Sequence, residues 1–186
     1  TKIAAQLRSE IILTGCAGHA GTIPASLRND PLPVASEMVL AVNQMCKSDE
    51  LIRSTVGHLE VIPNASNVIP GKVKFSIDMR YPDLKGLRRV HDELSQEIKS
   101  IAKRSDLNFE YKLVHEASDA QLDQRLTDIL AESCEVMQGS SPRMFSGAGH
   151  DSMKLAQVCP AGMLAVRCKD GLSHHPDEFA SNADCI

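Results

Sequence analysis

Residues 72–80, KVKFSIDMR, decide the fold of this chain. Apolar and polar residues alternate over the whole stretch, which is the pattern of a β-strand that buries one face. The apolar face carries Val73, Phe75, Ile77 and Met79, and the polar face carries Lys72, Lys74, Ser76, Asp78 and Arg80. The stretch therefore predicts a strand in a sheet that is covered on one side only.

Further strands and helices are predicted on both sides of this strand. Residues 9–17, 55–62 and 109–113 have the composition of strands, and residues 31–45 and 84–101 have apolar residues at helical spacing. The pair Asp30-Pro31 is typical of a helix N-cap and first turn, and Asp83 is a second candidate N-cap. The order β-α-β-β-α-β is typical of four antiparallel strands with two helices on one face. The sequence thus predicts an α+β domain within residues 9–116.

The second part of the chain is organised differently. A helix is predicted over residues 120–137, followed by a short segment at 143–146, a glycine-rich loop, a brief helix and a strand at 163–168. About 70 residues of this kind are too few to cover both faces of an α/β sheet. We therefore interpret residues 117–186 as the C-terminal part of a larger α/β domain.

The composition argues against several classes of function. Six aromatic residues and a net charge of −4 do not suit a surface that stacks single-stranded nucleic acid. No apolar run approaches the roughly 18 residues that span a bilayer, and no signal peptide is visible. The six cysteines form no C-x-x-C pair, so they are interpreted as free, buried thiols in a reducing compartment, which favours a cytoplasmic location.

Four loops concentrate glycine, histidine, asparagine and acidic residues that a core does not need. They are residues 15–24 with His19, residues 63–71 with Asn67, residues 146–152 with His150, and residues 171–178 with His174. A histidine flanked by glycines can donate a hydrogen bond to an oxygen or move a proton. The Arg80 guanidinium suits a carboxylate, and the amide of Asn67 is expected to add a donor beside it.

Each of these residues also has an ordinary structural interpretation. His19 and Asn67 can be turn residues, Arg80 can be a surface arginine paired with Asp78, and His150 can cap a helix. The spacing around His174 matches neither H-x-x-x-H nor H-E-x-x-H, and residues 146–152 lack the lysine of a phosphate-binding loop. The individual motifs therefore leave these alternatives open.

Taken together, four motifs identify a family. The stretches GHAGTIP, PNASNVIPGKVKFSIDMR, SGAGHDSM and GLSHHPDE, in this order, resemble the allantoate amidohydrolase, N-carbamoyl-L-amino-acid hydrolase and β-ureidopropionase family of binuclear metal hydrolases. The resemblance implies that residues 9–116 are a lid and dimerisation domain and that residues 117–186 close the α/β catalytic domain. Residues 1–8 would form the hinge that enters the lid. Ile23 and Ala25 depart from the usual HAGTTPM motif at the edge of the pocket.

The resemblance also implies roles for individual residues. His174 matches a metal-binding histidine. The positions that match substrate-binding or pocket-lining residues are Arg8, His19, Asn67, Arg80, Gly149 and His150. In this family the lid residues reach the active site of the partner subunit, so the resemblance implies a homodimer.

The implied reaction is hydrolysis of a ureido carboxylate with release of ammonia and carbon dioxide. Two zinc or manganese ions and a general-base glutamate carry this chemistry in the family, and most of their residues match positions upstream of Thr1. We therefore expect this chain to be an incomplete copy that carries no catalytic residue of its own. The alternative is a non-catalytic remnant that binds a ligand and dimerises.

Overall fold

The computed structural model describes residues 1–185. A four-stranded antiparallel sheet forms its centre, made of β2 (Ala5–Thr14), β4 (Arg53–Ile62), β6 (Lys72–Tyr81) and β7 (Asn108–Ala117), with the elements numbered in chain order. The strand order across the sheet is β4-β6-β2-β7. Strand β6, which the alternation of residues 72–80 predicted, lies between β4 and β2 inside the sheet.

Two helices, α1 (Pro31–Ser48) and α2 (Leu84–Lys103), cover one face of this sheet. Each begins where an aspartate side chain satisfies a free backbone N–H: Asp30 accepts from Leu32, and Asp83 accepts from Gly86. The apolar face of β6 packs under the helices, and its four predicted core residues are at most 1% exposed. The predicted β-α-β-β-α-β domain is confirmed.

Strand β2 begins earlier than the sequence indicated. The prediction placed the strand at residues 9–17, whereas the structure has it at Ala5–Thr14. Ala5 and Leu7 are buried against the helices, because they extend the alternation of the strand toward the N-terminus. Arg8 consequently lies within the sheet and not in the hinge that was expected over residues 1–8.

The remaining elements are short, apart from one helix. They are β1 (Lys2–Ile3), β3 (Gly18–His19), β5 (Val68–Ile69), β8 (Ala120–Gln121), α3 (Gln124–Gln138), β9 (Phe145–Ser146), α4 (Ser152–Leu155) and α5 (Asn182–Cys185). Strand β1 pairs antiparallel with β8 and parallel with β9, and β3 pairs with β5. Helix α3 starts later than predicted because Asp123 caps it and residues 120–121 pair with β1.

The strand predicted at residues 163–168 is wrong. No other strand among residues 1–185 pairs with this segment, and Leu164 and Val166 are 57% and 48% exposed. An extended segment needs a neighbour for its backbone N–H and C=O groups before it forms a strand. The apolar composition of the segment was therefore insufficient evidence.

All six cysteines are free, which confirms the prediction that they form no disulfides. Their predicted burial is wrong, since Cys16, Cys159 and Cys185 are exposed and the other three are partly buried. Among the residues that the structure describes, no helix is both long and apolar enough to cross a membrane.

Candidate functional site

Arg80 lies on the open face of the sheet, close to the end of β6. Its Nε donates to Asp78 Oδ1 at 2.9 Å, and its Nη2 donates to Asp78 Oδ2 at 3.4 Å. Its Nη1 donates to the carbonyl oxygen of Gly147 at 2.9 Å. The guanidinium is thus held on two sides, once by its own strand and once by the glycine-rich loop.

Asp78 receives two more hydrogen bonds from the neighbouring strand β2. Arg8 Nε donates to its Oδ2 at 2.9 Å, and Gln6 Nε2 donates to the same oxygen at 2.6 Å. The ladder register explains this, because Arg8 lies opposite Asp78 and Gln6 lies opposite Arg80. Burial alone would raise the pKa of Asp78, but the hydrogen bonds from Arg80 and Arg8, the charge of Arg80 and the Gln6 bond outweigh it and lower that pKa. Asp78 is therefore a carboxylate at neutral pH.

The contacts of Arg80 leave a definite set of donors free. A guanidinium has five N–H bonds, one on Nε and two on each terminal nitrogen. Three of them point to Asp78 and Gly147, and within residues 1–185 the other two, one on Nη1 and one on Nη2, have no hydrogen-bond partner. The side chain is 29% exposed. These two donors can bind one carboxylate through both of its oxygens.

Positive charge gathers at this end of the sheet. Arg53 of β4 lies directly opposite Arg80, and Arg8 lies one strand away on the other side. The carboxylate of Asp78 forms ion pairs with two of these arginines, Arg8 and Arg80. The local excess of positive charge favours an anionic ligand.

His19 and Asn67 form a second group. Strand β3 pairs with β5 so that His19 lies opposite Val68, and the backbone N–H of Ala20 donates to the carbonyl of Asn67 at 2.9 Å. His19 Nδ1 accepts from the backbone N–H of Gly21 at 3.0 Å. A neutral His19 therefore carries its proton on Nε2, where the exposed ring can donate it to a ligand oxygen.

The two groups lie at opposite ends of the sheet. The β3–β5 pair is next to Lys72, at the start of β6, whereas Arg80 is eight residues further along the strand. Eight residues of a strand span about 27 Å. This corrects the expectation that the amide of Asn67 lies beside Arg80 in the same chain. A small ligand cannot touch both groups of one copy.

The glycine-rich loop reaches Arg80 through the carbonyl of Gly147, whereas Nδ1 of His150 is bound within the loop itself. His150 Nδ1 lies 2.8 Å from Ser152 Oγ and accepts from the backbone N–H of Ser152 at 3.1 Å. These contacts hold the His150 ring against Ser152 at the start of α4, whose N-cap residue is Asp151 without a side-chain cap hydrogen bond. Gly149 is exposed, and a side chain at this position would be in ordinary van der Waals contact with Met153, its Cβ lying 3.9 Å from Sδ. A substrate contact by either residue stays a prediction.

His174 lies in the loop at residues 171–178, where its backbone contacts Glu178. Its backbone has a φ of 56°, and its N–H donates to Glu178 Oε2 at 3.0 Å. Among residues 1–185, no three His, Cys, Asp or Glu side chains come together in a way that could hold a metal ion. The described residues therefore do not fit a binuclear metal centre by themselves, and His174 would be one ligand of several.

The sequence did not reveal three contacts of Arg80 and Asp78: those of Gln6, Arg8 and the Gly147 carbonyl. The signal for the first two was present, because Gln6 and Arg8 occupy the polar positions of β2 once that strand starts at Ala5. The Gly147 contact joins residues that are 67 positions apart. No local pattern carries that information.

Comparison with known proteins places the chain in a family. Residues 2–106 match the family model of the peptidase dimerisation domain. The chain belongs to this family. The match runs from β1 through α2, which includes three of the four strands of the central sheet.

Curated relatives match the second part of the chain as well as the first. This chain is 35% identical to the N-carbamoyl-L-amino-acid amidohydrolase of Pseudomonas sp. (strain NS671), over 95% of this chain and 43% of that protein. It is 34% identical to allantoate deiminase 1 of Glycine max, over 98% of this chain and 43% of that protein. The chain thus spans less than half the length of these curated relatives. The family predicted from the four motifs is confirmed.

A solved structure gives the same result for the fold. An amidase of the hydantoinase/carbamoylase family from Burkholderia multivorans superposes with a TM-score of 0.89 at 35% identity. The superposition covers 99% of this chain and 46% of that one. The mixed arrangement of helices and antiparallel sheet described above is therefore the arrangement of this amidase over the shared part.

Proposed function

We propose that the full-length protein is a metal-dependent amidohydrolase that cleaves a C–N bond of a ureido carboxylate, either an N-carbamoyl-L-amino acid or allantoate. Water is consumed, and the products are ammonia, carbon dioxide and the remainder of the substrate, which carries the freed amino group. One observation carries the proposal: Arg80 keeps two N–H donors free on an exposed, positively charged end of the sheet. Both substrates carry the carboxylate that such a pair of donors binds. The names of the relatives support the same two substrates.

The residues of this chain bind and orient the substrate in this proposal. Arg80 binds the carboxylate, and His19 donates from Nε2 to another oxygen of the substrate. The side-chain amide of Asn67 adds a donor beside His19. Holding a substrate in one orientation is itself a large contribution to rate, because it replaces a random encounter by a fixed geometry.

The metal centre requires ligands beyond this chain. Divalent metal ions, if bound in the full-length protein, would supply the Lewis-acid chemistry of such hydrolases. His174 is the ligand that we assign to this chain by its match to the family motif. The remaining ligands and the general-base glutamate would come from residues outside these 186.

The substrate site is proposed to combine two copies of the chain. Arg80 lies about 27 Å along the strand from the His19–Asn67 group, so a single copy cannot close both around one substrate. In a homodimer, His19 and Asn67 of one copy can meet Arg80 of the other. The membership in a dimerisation-domain family supports this arrangement.

The reaction is tested on the full-length protein loaded with Mn²⁺ or Zn²⁺. We expect release of ammonia from N-carbamoyl-L-amino acids or from allantoate. If metal is bound in stoichiometric amount and neither substrate is hydrolysed, the proposed reaction is wrong.

The shared site is tested by mixing two inactive variants, His19→Ala and Arg80→Gln. In a mixed dimer one site contains both substitutions and the other contains neither. Random exchange of subunits should therefore restore roughly a quarter of the wild-type activity. If Arg80 and His19 served the same copy, mixing would restore nothing.

A second candidate function is a non-catalytic module that binds a ligand and dimerises. The observation in its favour is that, among residues 1–185, no three His, Cys, Asp or Glu side chains come together in a way that could hold a metal ion. Calorimetric titration of the protein with Zn²⁺, together with the ammonia assay, separates the two. Tight stoichiometric metal binding with turnover excludes the non-catalytic function.

A further inference from the structure

The carboxylate of Asp78 is unusual in this chain for the number of donors that converge on it. Its Oδ1 accepts from Arg80 Nε, and its Oδ2 accepts from Arg80 Nη2, Arg8 Nε and Gln6 Nε2. The side chain is 22% exposed, and two strands contribute to its contacts. A group with this many partners has one orientation, and it imposes that orientation on the arginine that it binds.

We propose that Asp78 is the positioning residue for Arg80. Asp78 binds the Nε–Nη2 edge of the guanidinium, so that the Nη1–Nη2 edge faces the substrate carboxylate. This inference rests on the proposed function of Arg80. Asp78 binds the edge formed by Nε and Nη2, and the Gly147 carbonyl holds Nη1. The N–H bonds that remain are one on each terminal nitrogen, which is the set needed for a two-point contact. Without Asp78 the same arginine would sample several rotamers and would lose conformational entropy on binding.

Charge alone would argue against an acid at this position. A carboxylate 2.9 Å from Arg80 reduces the positive potential that attracts an anionic ligand. Arg8 offsets this reduction, because its Nε contacts the same carboxylate and its charge cancels that of Asp78. The cluster of Arg8, Asp78 and Arg80 thus keeps one net positive charge together with a fixed orientation.

These two effects predict opposite results when Asp78 is replaced by asparagine. Removal of a negative charge should improve attraction of an anionic substrate, whereas replacing one of the two acceptor oxygens by an NH2 group should loosen Arg80 and weaken the contact. Glu10→Gln is the matched control. Glu10 lies two residues beyond Arg8 on β2, so its side chain is on the same face of the sheet as Asp78, and it forms an ion pair with Lys74 at 2.7 Å. Both substitutions remove one negative charge from the open face, and only one of them touches Arg80.

The experiment measures KM and kcat of the full-length, metal-loaded enzyme with N-carbamoyl-L-alanine and with allantoate. We expect Asp78→Asn to raise KM about tenfold, the size expected for loss of a charged hydrogen bond. The control Glu10→Gln should stay within about twofold of the wild type. Asp78→Glu keeps the charge and the acceptor, so it should recover part of the loss. Thermal unfolding of each variant verifies that the fold is intact.

A crystal structure of the full-length Asp78→Asn enzyme gives the second measurement. We expect Arg80 to leave its position between residue 78 and the Gly147 carbonyl, and Arg80 in Glu10→Gln to remain there. If Asp78→Asn binds substrate as well as Glu10→Gln does, or if Arg80 keeps its position, the inference is overturned while the role of Arg80 stands. If Arg80→Gln itself leaves KM unchanged, the proposed function of Arg80 is wrong, and the inference falls with it.

Discussion

The central sheet region, residues 5–117, and the C-terminal region, residues 118–185, differ in how they use apolar residues. The sheet region buries nineteen residues in one core between the strands and the two helices. The second cluster, where β1 meets the C-terminal region, buries four residues. Much of the apolar surface of the C-terminal region is instead exposed, at Val136, Met137, Val158, Leu164 and Phe179.

This difference shows that apolar content does not by itself build a core. In the sheet region the apolar faces of the inner strands β2 and β6 meet two amphipathic helices from the same 117 residues, whereas the edge strands leave Leu59, Leu113 and Val114 exposed. In the C-terminal region the apolar side chains have too few neighbours among the described residues. We expect another part of the full-length protein to cover them, which agrees with the proposal that residues 117–186 close a larger domain.

The largest effect should come from truncating the core of the sheet region. Phe75 is fully buried, so Phe75→Ala should lower the free energy of unfolding by about 3–5 kcal/mol. Val158 is 81% exposed, so Val158→Ala should change it by less than about 0.5 kcal/mol. Urea unfolding of both variants measures the difference. If both variants lost the same unfolding free energy, the two regions would be packed equally well.

A smaller effect is expected where the two regions touch. Arg80→Lys removes the planar guanidinium that contacts Asp78, the Gly147 carbonyl and, in the proposed function, the substrate. We expect a loss of about 1.5–3 kcal/mol in substrate binding, seen as a higher KM of the full-length enzyme. Unchanged KM and kcat in this variant would show that the carboxylate is bound elsewhere.

The helix caps offer a matched pair with a smaller effect still. Asp30 caps α1 in the sheet region, and Asp123 caps α3 in the C-terminal region, each by accepting a backbone N–H at 2.9 Å. Asp30→Ala should lower the stability of the main unfolding transition by about 1 kcal/mol. Asp123→Ala should lower the unfolding free energy of that transition by less, because α3 buries only Thr127 and Ala131. Equal shifts in one transition would show that both regions unfold together.

The smallest effect concerns the pH dependence of stability. The pKa of Asp78 is lowered in the folded state from its ordinary value of 3.8, because its hydrogen bonds to Arg80 and Arg8 outweigh the effect of burial. The stability that this gives is present above the ordinary pKa and is lost as the pH falls through the folded one. The difference in unfolding free energy between wild type and Asp78→Asn should therefore narrow below about pH 4. A difference that stays constant between pH 7 and pH 3 would contradict the assigned ionisation.

The fold of the sheet region could be predicted almost completely from the sequence. Alternation in residues 72–80 and helical spacing after Asp30 and Asp83 are local signals, and they agree with one another. The error at the start of β2 arose because Ala5 is small and gives a weak apolar signal at the end of the alternation. The error at residues 163–168 has another cause, since a strand depends on a partner that no local pattern reveals.

The candidate site was predictable only in part. The motifs identified Arg80, His19 and Asn67 through the family resemblance, and the strand pattern put Asp78 on the same face as Arg80. The predicted strand at residues 72–80 already separated Asn67 from Arg80, but the motifs were interpreted without regard to the length of that strand. The motifs also could not give the hydrogen bond between His150 and Ser152 or the carbonyl contact of Gly147.

The sequence by itself determined the order of strands and helices, the face of each that is buried, and the family of the chain, because these follow from periodicity and from motifs in a fixed order. The tertiary structure alone decided that Arg8 and Gln6 of β2 lie against Asp78 of β6, so that two arginines share one aspartate. Those facts depend on the register between strands. Register is set by packing and turns over the whole sheet and not by any single stretch of residues.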